Sequence, residues 1–215
     1  MFFRFATFNY RSDDLAAEER NYLNHHVALG KSLPGVRLYY TSRLLAHHGR
    51  KPEATRAVLI GFDNAEAFTA AFQSKVAAEL AADGKAHMKD IRMLEFDGEV
   101  IVPFDARRAG QECFVMAAEF NLEASGGLEA AENRYRNHHV GIARRLPGLR
   151  NYVIGRLGVG GGEKPDRYRM ALLAFDSIGA FREAYRSPVG KELVADEEAT
   201  IRDARVHRLD ARVEV

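Results

Sequence analysis

The chain has 215 residues, 47% of them hydrophobic, enough for one sizeable core or two small ones. Its 31 basic and 30 acidic residues leave a formal net charge of +1, so no global field favours a nucleic acid or an anionic membrane, and neither partner is expected. The one cysteine, Cys113, excludes an internal disulfide framework and a multi-cysteine zinc site. With no basic leader and no apolar run of roughly 18 residues, the chain reads as cytoplasmic.

From the start, Phe2 to Tyr10 is rich in aromatics without a helical period and predicts a strand. Asp14 to Ser32 carries Leu15, Tyr22, Leu29 and Leu33 at helical spacing and ends at Pro34 and Gly35. Val36 to Leu45 and Thr55 to Phe62 predict strands, joined by the turn-prone HHGRKPE stretch from His47. A helix follows from Asn64 to Ala82, kinked or interrupted near Ser74, then a strand from Arg92 to Val102. The polar stretch 104–111 is a connector. After it the whole order returns, opening with a strand from Phe114 to Leu122 and closing with one from Arg205 to Val215.

The return is literal. YLNHHVALGKSLPG from Tyr22 reappears as YRNHHVGIARRLPG from Tyr135, an offset of 113 residues, and Arg20 to Val102 shows 34 identities in 83 ungapped positions at that offset. The chain therefore divides into repeats at 1–103 and 112–215. Each is a βαββαβ unit of the ferredoxin-like, α+β type, with two helices on one face of an antiparallel sheet. RAVLIGF from Arg56 and RMALLAF from Arg169 are nearly continuous apolar runs, whereas a sheet wet on one side alternates. Burying the second face against the sister repeat recovers roughly 25 cal/mol per Å² of apolar area, so the expected architecture is a pseudo-dimeric α/β barrel within one chain.

Tyr22, His26, Leu29 and Leu33 share a helix face, as do Tyr135, His139, Ile142 and Leu146. A histidine there is suited to proton transfer near neutral pH if a cavity reaches it, or else is a core residue satisfied by carbonyls, Tyr39 or Tyr152. Adjacent histidines point about 100° apart and do not chelate one metal, and His47 and His48 align with Gly160 and Gly161, so no metal site is expected. Asp90 and Asp203, just before the last strand of each repeat, suit a base or histidine-orienting role, or a cap or salt bridge. Arg37, Tyr39 and Arg43 share a strand face, with Arg150, Tyr152 and Arg156 as twins, fitting a small anionic or phenolic ligand or a rim of ion pairs. GVGGGEKPD from Gly158 lacks the GK[ST] ending of a phosphate loop and reads as a hairpin. The repeats also diverge: Tyr40 faces Val153, His87 faces Thr200 and Leu94 faces His207, so one pocket is free to work while the other is structural.

A histidine eight residues before a Pro-Gly pair, as in His26 with Pro34 and Gly35 and His139 with Pro147 and Gly148, followed by a tyrosine-bearing strand, resembles the EthD family. Phe-Asp at Phe62 and Phe175, Ser74 and Ser187, and the acids Asp83, Asp90, Asp196 and Asp203 extend the resemblance over both repeats; Tyr22 and Tyr135 depart from it, standing where members often carry Trp. The resemblance implies a tandem fusion replacing a homodimer, a pocket between helices and sheet in each half, and handling of ether-type, polyketide or aromatic compounds without metal or organic cofactor. The candidate catalytic residues are then His26, His139, Asp90 and Asp203, and the candidate ligand contacts Tyr22, Tyr135, Tyr39, Tyr152, Arg37 and Arg150. The expected activity is a cofactor-independent lyase, isomerase or oxygenase acting on a small apolar or aromatic metabolite. A non-catalytic binder or accessory scaffold is the alternative, and a homodimer of the tandem chain is compatible with either.

Overall fold

The first strand, β1 (Phe2–Tyr10), leads to Asp14, whose side chain accepts from the Ala17 backbone N–H and starts the first helix. That helix runs as α1 (Leu15–Asn21), a π-helical turn (Tyr22–His26) and α2 (Val27–Lys31). Gly35, at φ +74°, turns the chain into β2 (Val36–Leu44), which pairs with β3 (Arg56–Phe62). The second helical stretch is two helices rather than one kinked one, α3 (Ala65–Phe72) and α4 (Lys75–His87), because Ser74 caps a new N-terminus by accepting from the Ala77 N–H. β4 (Met88–Val102) completes the half. The second half follows as β5 (Glu112–Leu122), α5 (Leu128–Arg134), a π turn (Tyr135–His139), α6 (Val140–Ala143), β6 (Leu149–Leu157), β7 (Arg169–Phe175), α7 (Ile178–Arg186), α8 (Pro188–Thr200) and β8 (Ile201–Val213). This computed structural model describes residues 1–47, 49–105, 108–158 and 165–215; His48 and most of the glycine-rich hairpin from Gly158 lie outside them.

The last strands start earlier than their sequence suggests. Asp90 and Asp203 lie inside β4 and β8, not before them, each at φ +54° where the pairing with β1 or β5 slips. These are β-bulges, and the extra residue breaks the period-2 pattern that marks a strand. Aspartate is among the few residues that tolerate the left-handed region.

All eight strands pair antiparallel into one closed barrel, in the order β1-β3-β2-β8-β5-β7-β6-β4. The closure explains why β4 and β8 are long, at 15 and 13 residues. The first part of β4 pairs with β1 and its last part with β6, while β8 divides itself in the same way between β5 and β2. At the β4–β6 seam Gly98 lies opposite Gly155, leaving room for the stacked rings of Phe3 and Phe96, 5.2 Å apart; a Cβ on Gly155 would collide with Phe96.

Three apolar clusters result. One fills the barrel interior with side chains from both halves, including Phe3, Phe5, Leu59, Phe96, Val115, Leu172 and Leu209. The other two lie between each half-sheet and its helices, around Phe62, Phe68 and Tyr22 in the first half and around Phe175, Phe181 and Tyr135 in the second. In RAVLIGF, Leu59 faces the barrel interior and Ile60 faces the helices, so both sheet faces are dry. Among the described residues no helix is long and apolar enough to cross a membrane.

Candidate functional site

The π turn places residues four apart one above the other. Tyr22 stacks on His26 at 5.5 Å and Tyr135 on His139 at 5.3 Å. Arg56 covers Tyr22, and Arg169 covers Tyr135, with the guanidinium carbons 4.7 and 4.8 Å from the ring centroids. Glu19 holds Arg56, and Glu132 holds Arg169. Each histidine turns Nδ1 to an aspartate on the facing helix, His26 to Asp83 at 2.7 Å and His139 to Asp196 at 2.8 Å. The carboxylate accepts, so the neutral ring carries its proton on Nδ1. Burial holds both histidines below their ordinary pKa, against the pull of the aspartates.

The remaining sequence candidates lie elsewhere. Tyr39 and Tyr152 are buried beneath the helices and do not bond the histidines, whose partners are the aspartates. Asp90 and Asp203 are exposed and accept from Asn9 and Asn121, both at 3.3 Å. Arg37 and Arg150 are exposed and paired with Asp63 and Asp176. Of the ten candidate side chains, none lines any of the three described cavities.

Two of those cavities are pseudo-symmetric clefts at the barrel seams, of about 370 and 200 Å³. Arg136, Arg156 and Arg169 line one, and Leu23, Arg43 and Arg56 stand at the equivalent positions of the other. All five of these arginines already pair with carboxylates.

The third cavity is different. It occupies about 540 Å³ between the outer face of β5 and β8 and the helices α7 and α8, and His47 from the first half also lines it. Met116, Ala118, Phe120, Phe181, Ile201 and Val206 form its apolar walls, and Tyr185, Glu197 and Arg208 are among its polar groups, with Arg182, Arg186 and Glu198 beside them. Burial pushes the Glu197 carboxyl up to about 7, with the Asp196 charge adding to the rise and the Tyr185 hydroxyl opposing it. Tyr185 Oη stands 3.5 Å from Glu197 Oε1 and 3.7 Å from Met116 Sδ, a loose arrangement that a ligand oxygen can enter. Arg208 Nε is buried without a hydrogen-bond partner, its guanidinium 5.7 Å from the Phe181 ring centroid. Such a group, in an apolar cavity, is open to a ligand.

The same positions in the first half carry other residues. Arg4 and Glu95 replace Met116 and Arg208 and bond each other at 2.5 Å, with Arg4 lying over Phe68 and Phe72. Gly84 replaces Glu197 and Phe72 replaces Tyr185. Tyr185, Glu197 and Arg208 had no motif to announce them. The available signal was divergence between repeats at positions facing the helix–sheet gap.

One more polar group separates the halves. Inside the barrel, Glu119 of β5 is fully buried and accepts from Arg92 of β4 at 2.5 and 2.6 Å and from His207 Nε2 at 3.0 Å. Burial alone would raise its carboxyl, yet His207 and Arg92 pull it down to about 2. Thr7 and Leu94 stand at the twin positions of Glu119 and His207. Among the described residues no cluster of three or more His, Cys, Asp or Glu side chains is arranged to hold a metal.

Comparison with known proteins places the fold and the second half. The family model "EthD domain" matches residues 127–203. An uncharacterised 11.0 kDa protein from the thcB-thcC intergenic region of Rhodococcus erythropolis is 28% identical over 67 residues. That match covers 31% of this chain and 65% of the relative, just under two thirds of its length. Among solved structures, a protein of Fusobacterium nucleatum assigned as a monooxygenase superposes with TM-score 0.73 at 10% identity, covering 99% of this chain and 93% of its own. One from Lactobacillus acidophilus, also assigned as a monooxygenase, gives 0.68 at 12% identity, with 98% and 93% covered. An anthrone oxidase-like protein gives 0.61 at 13% identity, with 99% and 93% covered. At these identities the likeness is one of fold.

Proposed function

We propose that this chain, two EthD-like domains closed into one barrel, works through the 540 Å³ cavity of its second half, binding a small apolar or aromatic metabolite and moving a proton on it with Glu197. The observation that carries the reading is a carboxyl held near neutrality inside an apolar cavity, with a tyrosine hydroxyl beside it. A general base is most effective when its pKa lies near the working pH, and a group at about 7 exists in both protonation states there. Tyr185 is positioned to donate to a developing oxyanion on the ligand. His139 does not line the cavity; bonded to Asp196, the residue before Glu197, it holds α8 in place and is tested as the alternative base. The repertoire is cofactor-independent proton transfer, as a lyase, isomerase or oxygenase requires, and the likeness of the barrel to an anthrone oxidase-like protein supports an activated aromatic carbon acid as the substrate type.

Anthrone in D2O tests this without needing the downstream reaction. Wild-type protein should accelerate exchange at the anthrone methylene carbon, and Glu197→Gln should lose about 100-fold or more of that rate. His139→Asn should keep most of it. Exchange lost in His139→Asn but kept in Glu197→Gln would hand the base role to the helix histidine. Tight binding of anthrone with no acceleration would leave a carrier rather than an enzyme.

A further inference from the structure

Three arginines surround this cavity, Arg208 on β8 and Arg182 and Arg186 on α7. Among the described residues none of the three guanidinium groups pairs with a carboxylate, in a chain where most arginines do. Their twins in the first half are Glu95, Thr69 and Gln73, so every one of the three positions is cationic only on the side with the cavity. On β5 the change runs the other way: Met116 stands in place of Arg4, so Arg208 has neither the acid nor the base of the first-half pair as a neighbour in register. The nearby carboxylates do not compensate. Glu197 is turned to Tyr185, and Glu198 is exposed on α8.

An unpaired, partly buried guanidinium next to apolar walls is costly unless a ligand supplies the anion. We infer that the ligand of this cavity is an aromatic anion, a carboxylate or phenolate whose charged oxygens take the Arg208 guanidinium while its ring lies against Phe120, Phe181 and Ile201. This rests on the cavity being the binding site and names the class of molecule it accepts. Arg182 and Arg186, at the mouth, draw the anion in, so binding weakens with added salt.

Titration calorimetry with 2-naphthoate and its uncharged isostere 2-naphthamide separates the two readings on the intact chain. Wild type should bind 2-naphthoate at least about tenfold more tightly than 2-naphthamide. Arg208→Gln should bring the two within about twofold by weakening 2-naphthoate far more than 2-naphthamide, and Arg182→Ser should reduce the preference with less risk to the fold. Arg37→Gln, a paired arginine on another surface, should change nothing. Binding of 2-naphthamide with no preference for 2-naphthoate, or a preference that survives Arg208→Gln, overturns the anion inference and leaves the cavity reading standing. Binding of neither probe overturns both.

Discussion

Across β1 and β4, Arg4 sits opposite Glu95; across β5 and β8, Met116 sits opposite Arg208 at the same register. On the first side the two charges neutralise each other and cap a stack of phenylalanine rings. On the second the cation is left unpaired above a cavity that also holds Glu197 and Tyr185, where the first side has Gly84 and Phe72. The scaffold beneath is the same, down to the Arg–Tyr–His–Asp column in each half. The shape is therefore present twice, and a handful of differences facing the helix–sheet gap leave one copy with a cavity that holds Tyr185, Glu197 and an unpaired Arg208.

The largest effects should be shared by both halves. Arg56→Met and Arg169→Met each remove the buried guanidinium from a glutamate that keeps only its more exposed partner, Arg43 or Arg156, and each should cost about 3 kcal/mol in urea unfolding, equal to within about 1 kcal/mol. A large inequality would mean the columns differ in ways their geometry hides. Next is the interior contact with no twin. Glu119→Ala, leaving Arg92 one-third exposed, should cost about 3 kcal/mol, whereas Thr7→Ala at the equivalent position should cost under about 1 kcal/mol. The Glu119 pairing also has a pH signature: its folded carboxyl is pulled below the ordinary 4.5, so its contribution is complete above about 4.5 and fades as pH falls toward about 2. Glu119→Gln should flatten that acid limb.

Glu197 has the opposite sign. Its folded carboxyl is raised from 4.5 to about 7, so the folded state is favoured most below pH 4.5 and loses stability as pH climbs through 7. Allowing for its partial exposure, the loss should be about 2 kcal/mol between pH 5 and 8, and Glu197→Gln should remove it. Thermal melts across that range decide the matter, and an unchanged slope in the variant would place the titrating group elsewhere. The smallest effect on stability should come from transplanting the first-half pair: Met116→Arg with Arg208→Glu should shift stability by no more than about 1 kcal/mol while abolishing binding of 2-naphthoate.

Much of the fold was legible because the repeat shows every element twice. Unbroken apolar runs such as RMALLAF require cover on two faces, and only the sister half can give it. The bulges at Asp90 and Asp203 were not legible, since a single left-handed residue interrupts the period without announcing itself. Nor were the π turns, which alter which side chains stack without altering composition. The histidines attracted notice because identical pairs recur in both repeats, yet recurrence marks what the fold needs in both halves as readily as what chemistry needs. The cavity's polar residues Tyr185, Glu197 and Arg208 lie where the repeats disagree, whereas walls such as Phe120 and Phe181 are the same in both.

By itself the sequence determined the two-unit architecture, the burial of both sheet faces and the placing of each tyrosine and histidine on one helix face, because hydrophobic period and internal identity are local or one-dimensional properties. Only the tertiary structure decided that Asp83 and Asp196, 57 residues downstream, complete the histidines, that Glu119 of one half meets Arg92 of the other, and that Glu197, Tyr185 and Arg208 share a cavity. Those groups come together across α7, α8, β5 and β8, and the charge state of a carboxyl depends on how much water that packing excludes.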